Sequence, residues 1–224
     1  MKKFLSLLLI IGLCTSCKQN IFITNDVNVQ EINDVVLIEP QTEIGLITKG
    51  NNVFANDSLS DVASRNLEKI LTYSVRHTHV TSIEHIGQNQ EINNFIVHLS
   101  HMQKNEIEYV TIPSFIDSLI ESSGKRYGLI ARQSGFTRTR WNRTAQVTKA
   151  VSLSVLSAVL TLGMAYVYVD PIVAVSEISL AIIDSYENKV VFFNMVSTEN
   201  EPLDETKTSK LIFNLFEMAG IGKN

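Results

Sequence analysis

Few side chains in this sequence could do chemistry, and they fall in two short stretches. Cys14 and Cys17, the two cysteines, stand in C-x-x-C spacing, which suits a thiol redox pair when a helix N-terminus in a folded domain lowers the thiol pKa. Here the pair closes an apolar leader with no strand before it, so redox use is not expected. All five histidines, His77, His79, His85, His98 and His101, lie within one stretch. His77 with His79 would share one side of a strand, and His98 with His101 one side of a helix, which is half of a metal site. No further cysteine and no H-E-x-x-H completes it, so surface polar residues are expected and no metal. The paired carboxylates Asp57/Asp61 and Glu106/Glu108 suit helix caps and solvated loops better than general acid–base work. Asp184 ends an apolar run before a turn, a common structural place for Asp. Walker A, G-x-G-x-x-G and G-x-S-x-G patterns are all missing. The expectation is a protein that is not an enzyme, with no catalytic residue and no cofactor.

The leader explains the cysteines. Lys2 and Lys3 precede the apolar run Phe4 to Leu13, which ends in the small residues before Cys17, the layout of an export signal. Its apolar core is about ten residues, too short to span roughly 30 Å of hydrocarbon as a helix. Leu13 to Cys17 resembles the lipobox of bacterial lipoproteins, with Ser16 as the small residue before the modified cysteine and Cys14 where leucine is usual. The resemblance implies that residues 1–16 are a signal peptide removed with Cys14, and that Cys17 is the lipidation site, carrying acyl chains such as palmitate. Two or more chains make such attachment stable where one leaves it reversible. Lys18-Gln19-Asn20 carries no acid, so an outer-membrane lipoprotein facing the periplasm is expected.

Composition bounds the rest. At 224 residues, 45% apolar and 19% charged, the chain can bury a core and suits one domain. Its 23 acidic against 19 basic residues, with Lys2 and Lys3 lost on maturation, disfavour nucleic acid as a partner.

Residues 17–34 are polar and Asn-rich, which reads as a tether, and the body is expected over 35–220. Val35-Val36-Leu37-Ile38, closed by Pro40, reads as a buried strand, followed by a loop. Asp57 or Ser58 would cap a helix whose Leu59, Val62, Ala63, Leu67, Ile70 and Leu71 recur at helical spacing. Val80 to Ile86 suits a strand, Glu91 to Lys104 a helix, and Pro113 the first position of another helix ended by Gly124. A strand is expected at Tyr127 to Ala131 and a hairpin over Glu177 to Phe193 turning at Glu187-Asn188-Lys189. A last helix starts near Asp204 and ends at Gly220. Strands alternating with helices predict an α/β (α+β) domain, a mixed sheet with helices packed on it.

That order, with Gly124-Lys125-Arg126-Tyr127 and the run from Ser176 through Asp184 to Phe193, resembles curli-secretion-type envelope lipoproteins with an anticodon-binding-like α/β domain. The resemblance would cover Val35 to Gly220 and implies assembly or transport roles without catalysis.

The main irregularity is an apolar insertion within residues 137–171. Ala150 to Val169 holds no charge and is long enough to span a membrane. It lies between two strands expected in one sheet, so the number of crossings must be even or zero. Helical projection puts Ala150, Ser154, Ser157, Ala158, Thr161 and Ala165 on one side and Leu153, Leu156, Leu160 and Met164 on the other. Gly163 would end the helix before a β-prone Tyr166 to Val169. The approach is basic: Lys125, Arg126, Arg132, Arg138, Arg140, Arg143 and Lys149 occur with no acid between Ser122 and Val169. Anionic head groups attract such a stretch, and Trp141 beside it is typical of membrane interfaces. The expected contact set toward a membrane or partner is therefore Arg138, Arg140, Trp141, Arg143, Leu153, Leu156, Leu160 and Met164. Three readings stay open for the insertion: a core helix, a contact surface toward lipid, a second copy or an envelope protein, and a spanning helix. Two roles follow: a membrane-anchored structural, assembly or transport-accessory lipoprotein, or a periplasmic ligand-binding module with a pocket near the histidines and Tyr109.

Overall fold

The computed structural model of the chain describes residues 20–24, 32, 35–75, 80–160 and 171–218. In chain order the strands are β1 (Asn20–Ile23), β2 (Val35–Ile38), β3 (Gln41–Ile47), β4 (Phe54–Ala55), β5 (Val80–Glu84), β6 (Tyr127–Arg138), β7 (Val175–Asp184) and β8 (Lys189–Thr198). The helices are α1 (Asp57–Val75), α2 (Gln90–His101), α3 (Lys104–Ile107), α4 (Ser114–Ser122), α5 (Arg140–Leu160) and α6 (Glu205–Met218).

Alternation of side chains along the strands dictates the layers. On β6, Leu129 and Ala131 face a cluster built with Leu67 and Leu71 of α1 and Ile212 and Leu215 of α6. Ile130 faces the opposite cluster, built with Ile92, Ile96 and Leu99 of α2 and Ile116 and Ile120 of α4. On β7, Ile178, Leu180 and Ile182 share the first cluster, while Ala181 and Ile183 share the second. A sheet buried on both faces needs near-continuous apolar strands, and Val35-Val36-Leu37-Ile38 is such a strand, every residue of it buried.

The strands form one eight-stranded mixed sheet in the order β1-β8-β7-β6-β2-β5, with β3 paired to β6 and β4 paired to β3. The long strand β6 organises it. Its start lies parallel to β2 and its second half, Arg132 to Arg138, lies parallel to β3. On its other edge it runs antiparallel to β7 from Tyr127 through Phe136. The α/β single domain expected from the sequence is thus the architecture found. The hairpin β7–β8 is present, and Asn188 in its turn takes a φ of 48°, as a tight turn requires.

Several expectations are corrected. The stretch expected as a tether enters the sheet: β1 pairs antiparallel with β8, Phe22 is buried in the second cluster, and Ile32 is buried in the first. Ile21-Phe22-Ile23 is a short run, but it meets the open edge of β8, and tertiary pairing outweighs its polar surroundings. The loop expected after Pro40 is β3, whose polar Gln41 and Thr42 hide an otherwise buried strand. The cap of α1 is Asn56, whose Oδ1 accepts from the Leu59 backbone N–H at 3.0 Å, in place of Asp57 or Ser58. Pro113 sits one residue before α4, and Gly124 follows that helix with a φ of 70°. The helix of the insertion starts at Arg140, ten residues before the apolar stretch. Gly163, the stretch 166–169 and Gly220 lie outside the described residues.

Candidate interaction surface on helix α5

Helix α5 grows directly from the end of β6, and polar side chains hold its first two turns. The Arg138 guanidinium donates from Nε to the Ile172 carbonyl at 3.0 Å and from Nη1 to the Gly50 carbonyl at 3.0 Å and Asn142 Oδ1 at 2.8 Å. Its Nη2 donates to Asn51 Oδ1 at 3.2 Å. Buried Asn142 and, one turn on, Gln146 donate to the same Gly50 carbonyl. Thr139 caps the helix, its Oγ1 accepting from the Asn142 N–H at 3.4 Å. Arg143 donates to Glu201 at 2.6 Å, tying the helix to the segment before α6. The root of α5 is therefore clamped between the β3–β4 turn and the approach to α6.

Beyond Gln146 exposure varies around the helix. Ala150 and Ser154, on the small-residue side, are 4% and 3% exposed. Leu153 and Leu156, on the other, are 46% and 52% exposed. Val147, Val151, Val155 and Val159, one every four residues, are exposed as well, and at about 100° per residue these six side chains spread over most of the helix circumference, with exposed Lys149 between the two leucines. Valine loses side-chain freedom in a helix and is a mediocre helix former. Four exposed valines on one helix therefore have no local reason to be there, whereas a surface that something else covers does.

The expected contact residues separate into two groups. Arg138 and Arg143 are structural fasteners of the helix root. Arg140 and Trp141 are exposed, Trp141 at 86%, and Leu153 and Leu156 join them on the outer side. Leu160 ends the helix; Met164 and Cys17 lie outside the described residues. Sequence reading missed the anchoring set Gly50, Asn51, Asn142 and Gln146, which joins positions some ninety apart with no shared pattern. It also missed the valine series, which the i, i+4 spacing does display.

Among the described residues no helix is long and apolar enough to cross a membrane. Since β6 and β7 are antiparallel neighbours, α5 belongs to an excursion that returns to the same sheet.

The histidine region is less concentrated. His77 and His79 lie outside the described residues. His98 and His101 are exposed on α2, and His85 Nδ1 stands 3.8 Å from Glu68 and 4.0 Å from Glu39. Among the described residues no three His, Cys, Asp or Glu side chains gather in a way that could hold a metal. A groove of about 580 Å³ runs beside α2, with His98, Phe95, Met102 and Tyr109 in its lining. Tyr109 is itself 82% exposed.

No protein-family model and no curated protein sequence matches the chain. Solved structures align with it. The PelC dodecamer from Paraburkholderia phytofirmans does so at 8% identity over 93% of this chain and 100% of that one, with a TM-score of 0.40. The lipoprotein GNA1162 from Neisseria meningitidis matches at 8% identity over 84% of this chain and 96% of that one, with a TM-score of 0.34. The C-terminal domain of LpoB from Salmonella enterica matches at 9% identity over 75% and 84%, with a TM-score of 0.30. At these identities and scores the likeness assigns neither family nor activity.

Proposed function

We propose that this protein is a membrane-anchored envelope lipoprotein with a structural, assembly or transport-accessory role and no catalysis, lipidated at Cys17 and making its contacts through α5. The observation that carries the role is α5 itself, a helix that exposes four valines and two leucines beyond a root clamped to the β3–β4 turn and to the approach to α6. A rigid base under an apolar surface is what a contact needs, because little ordering entropy is left to lose on binding. The resemblance to curli-secretion-type lipoproteins with an anticodon-binding-like domain belongs to the same proposal, as does an outer-membrane location facing the periplasm.

The groove beside α2 favours the second reading, a periplasmic ligand-binding module. Sites for small molecules bury most of the ligand, and a wall made by a largely exposed Tyr109 leaves this one open to solvent. The first reading is preferred on that ground.

The test is metabolic labelling of cells with a fatty acid. Wild type should take label and Cys17→Ala should take none, because the mature chain holds no other cysteine. Equal label on both would end the lipoprotein reading. Protease digestion of intact cells should leave the protein uncut if it faces the periplasm.

A further inference from the structure

We infer that the outer side of α5 rests on the same bilayer that holds the lipid at Cys17, an inference that depends on the lipoprotein reading above. The argument starts from β1. Only Lys18 and Gln19 separate Cys17 from the first residue of that strand. Three residues reach at most about 11 Å even when fully extended. A tether of the length expected from the sequence would reach about 60 Å and impose no orientation.

The register fixes which end of the sheet is held. Asn20 lies in one row with Met195, Ser179 and Arg132. Each neighbouring pair from β1 through β8 and β7 to β6 is antiparallel. The N-terminal end of β1 therefore opens in the direction in which β6 runs toward Arg138 and α5. From Arg132 to Arg138 is about 20 Å along the strand, and from β6 to β1 is about 14 Å across three strand spacings. Helix α5 is itself about 32 Å long. The anchor and the root of α5 thus belong to one end of the molecule, and the opposite end, with the β7–β8 turn, points away from the membrane.

Helix α5 itself is basic. Arg138 and Arg143 are committed within the fold, but Arg140 and Lys149 are exposed and, among the described residues, form no ion pair with a carboxylate. No acid lies on α5 itself, while Glu199, Glu201, Asp204 and Glu205 follow β8 at the same end of the sheet. Exposed Trp141, Val155, Val159 and Leu156 fall within about 100° of one another around α5, with exposed Arg140 and Lys149 on the two flanks of that side.

Trp141 is the sole tryptophan and reports on this surface directly. The lipidated full-length mature protein is reconstituted into phosphatidylethanolamine–phosphatidylglycerol vesicles, with and without brominated acyl chains. Trp141 emission should shift to the blue and lose most of its intensity only with brominated lipid. A long Gly-Ser spacer between Gln19 and Asn20 should reduce the quenching, and Val155→Glu with Leu156→Glu should remove it while fatty-acid label is retained. Protein that carries the label but shows an unquenched Trp141 overturns this inference and leaves the lipoprotein reading standing. Absence of label overturns both. A blue shift that follows protein concentration and ignores bromination would mean that a second copy covers α5, and would also overturn it.

Discussion

Arg126 directly precedes β6 and Asp184 ends β7, the antiparallel neighbour of β6. Fifty-eight positions apart in the sequence, they form an ion pair with Nε at 3.0 Å from both carboxylate oxygens and Nη2 at 2.6 Å from Oδ2. Asp184 is fully buried and also accepts from the Tyr186 and Glu187 backbone N–H groups at 3.0 and 3.3 Å. Donating to the Asp184 carboxylate holds the Arg126 guanidinium above the usual arginine range, so the pair stays charged on the arginine side at any ordinary pH. The partners are not equivalent, because the Arg126 side chain is 42% exposed and Asp184 not at all. Arg126→Met strands a buried carboxylate and should cost about 3–5 kcal/mol. Asp184→Asn leaves a guanidinium that can turn to water and should cost about 1–2 kcal/mol. Urea unfolding of both variants measures the difference; equal losses would show that solvent does not rescue Arg126.

At the scale of elements, the apolar period of α5 was legible and its beginning was not. Residues 140–149 have no apolar stripe, so nothing local distinguishes them from a loop; the helix extends back over them because Thr139 caps it and Asn142 and Gln146 find the Gly50 carbonyl. β3 was hidden for a related reason, since Gln41 and Thr42 are buried through bonds to distant groups, Thr42 Oγ1 donating to the Ser60 carbonyl at 2.8 Å. Two predictions belong here. Leu156→Glu alone should change unfolding stability by no more than about 0.5 kcal/mol, because the side chain is on the surface, while Ala150→Glu places a charge on a buried position and should unfold the protein or cost several kcal/mol. Circular dichroism melts of the two, compared directly, decide whether the small-residue side is the packed one. Arg138→Ala should cost about 1–2 kcal/mol and raise amide exchange along α5 while leaving β6 and β7 protected. Protection of α5 unchanged from wild type would show that its root is held by other means.

For the molecule as a whole, the fold class was readable because long apolar strands alternate with stripes of helical period, and a sheet covered on both faces is what such a chain can bury. The limit of the body was not readable. Composition drew it at Val35, because Lys18 to Asp34 is polar on average, whereas burial depends on Phe22 and Ile32, at 4% and 1% exposure. β1 also covers the outer edge of β8, a long strand whose open N–H and C=O groups would otherwise invite pairing between molecules. A chain begun at Asp34 should therefore lose more than contacts. Emptying the Phe22 site alone, as in Phe22→Ala, should cost about 3–5 kcal/mol, a large part of the about 5–15 kcal/mol that holds a domain folded. Removing the whole strand adds an exposed edge, so the shortened protein should melt earlier and scatter light at concentrations where a chain begun at Lys18 stays monodisperse. If the two chains melt together and neither aggregates, β1 is dispensable to the fold, and the short reach from Cys17 to the sheet no longer fixes which end of the molecule faces the membrane.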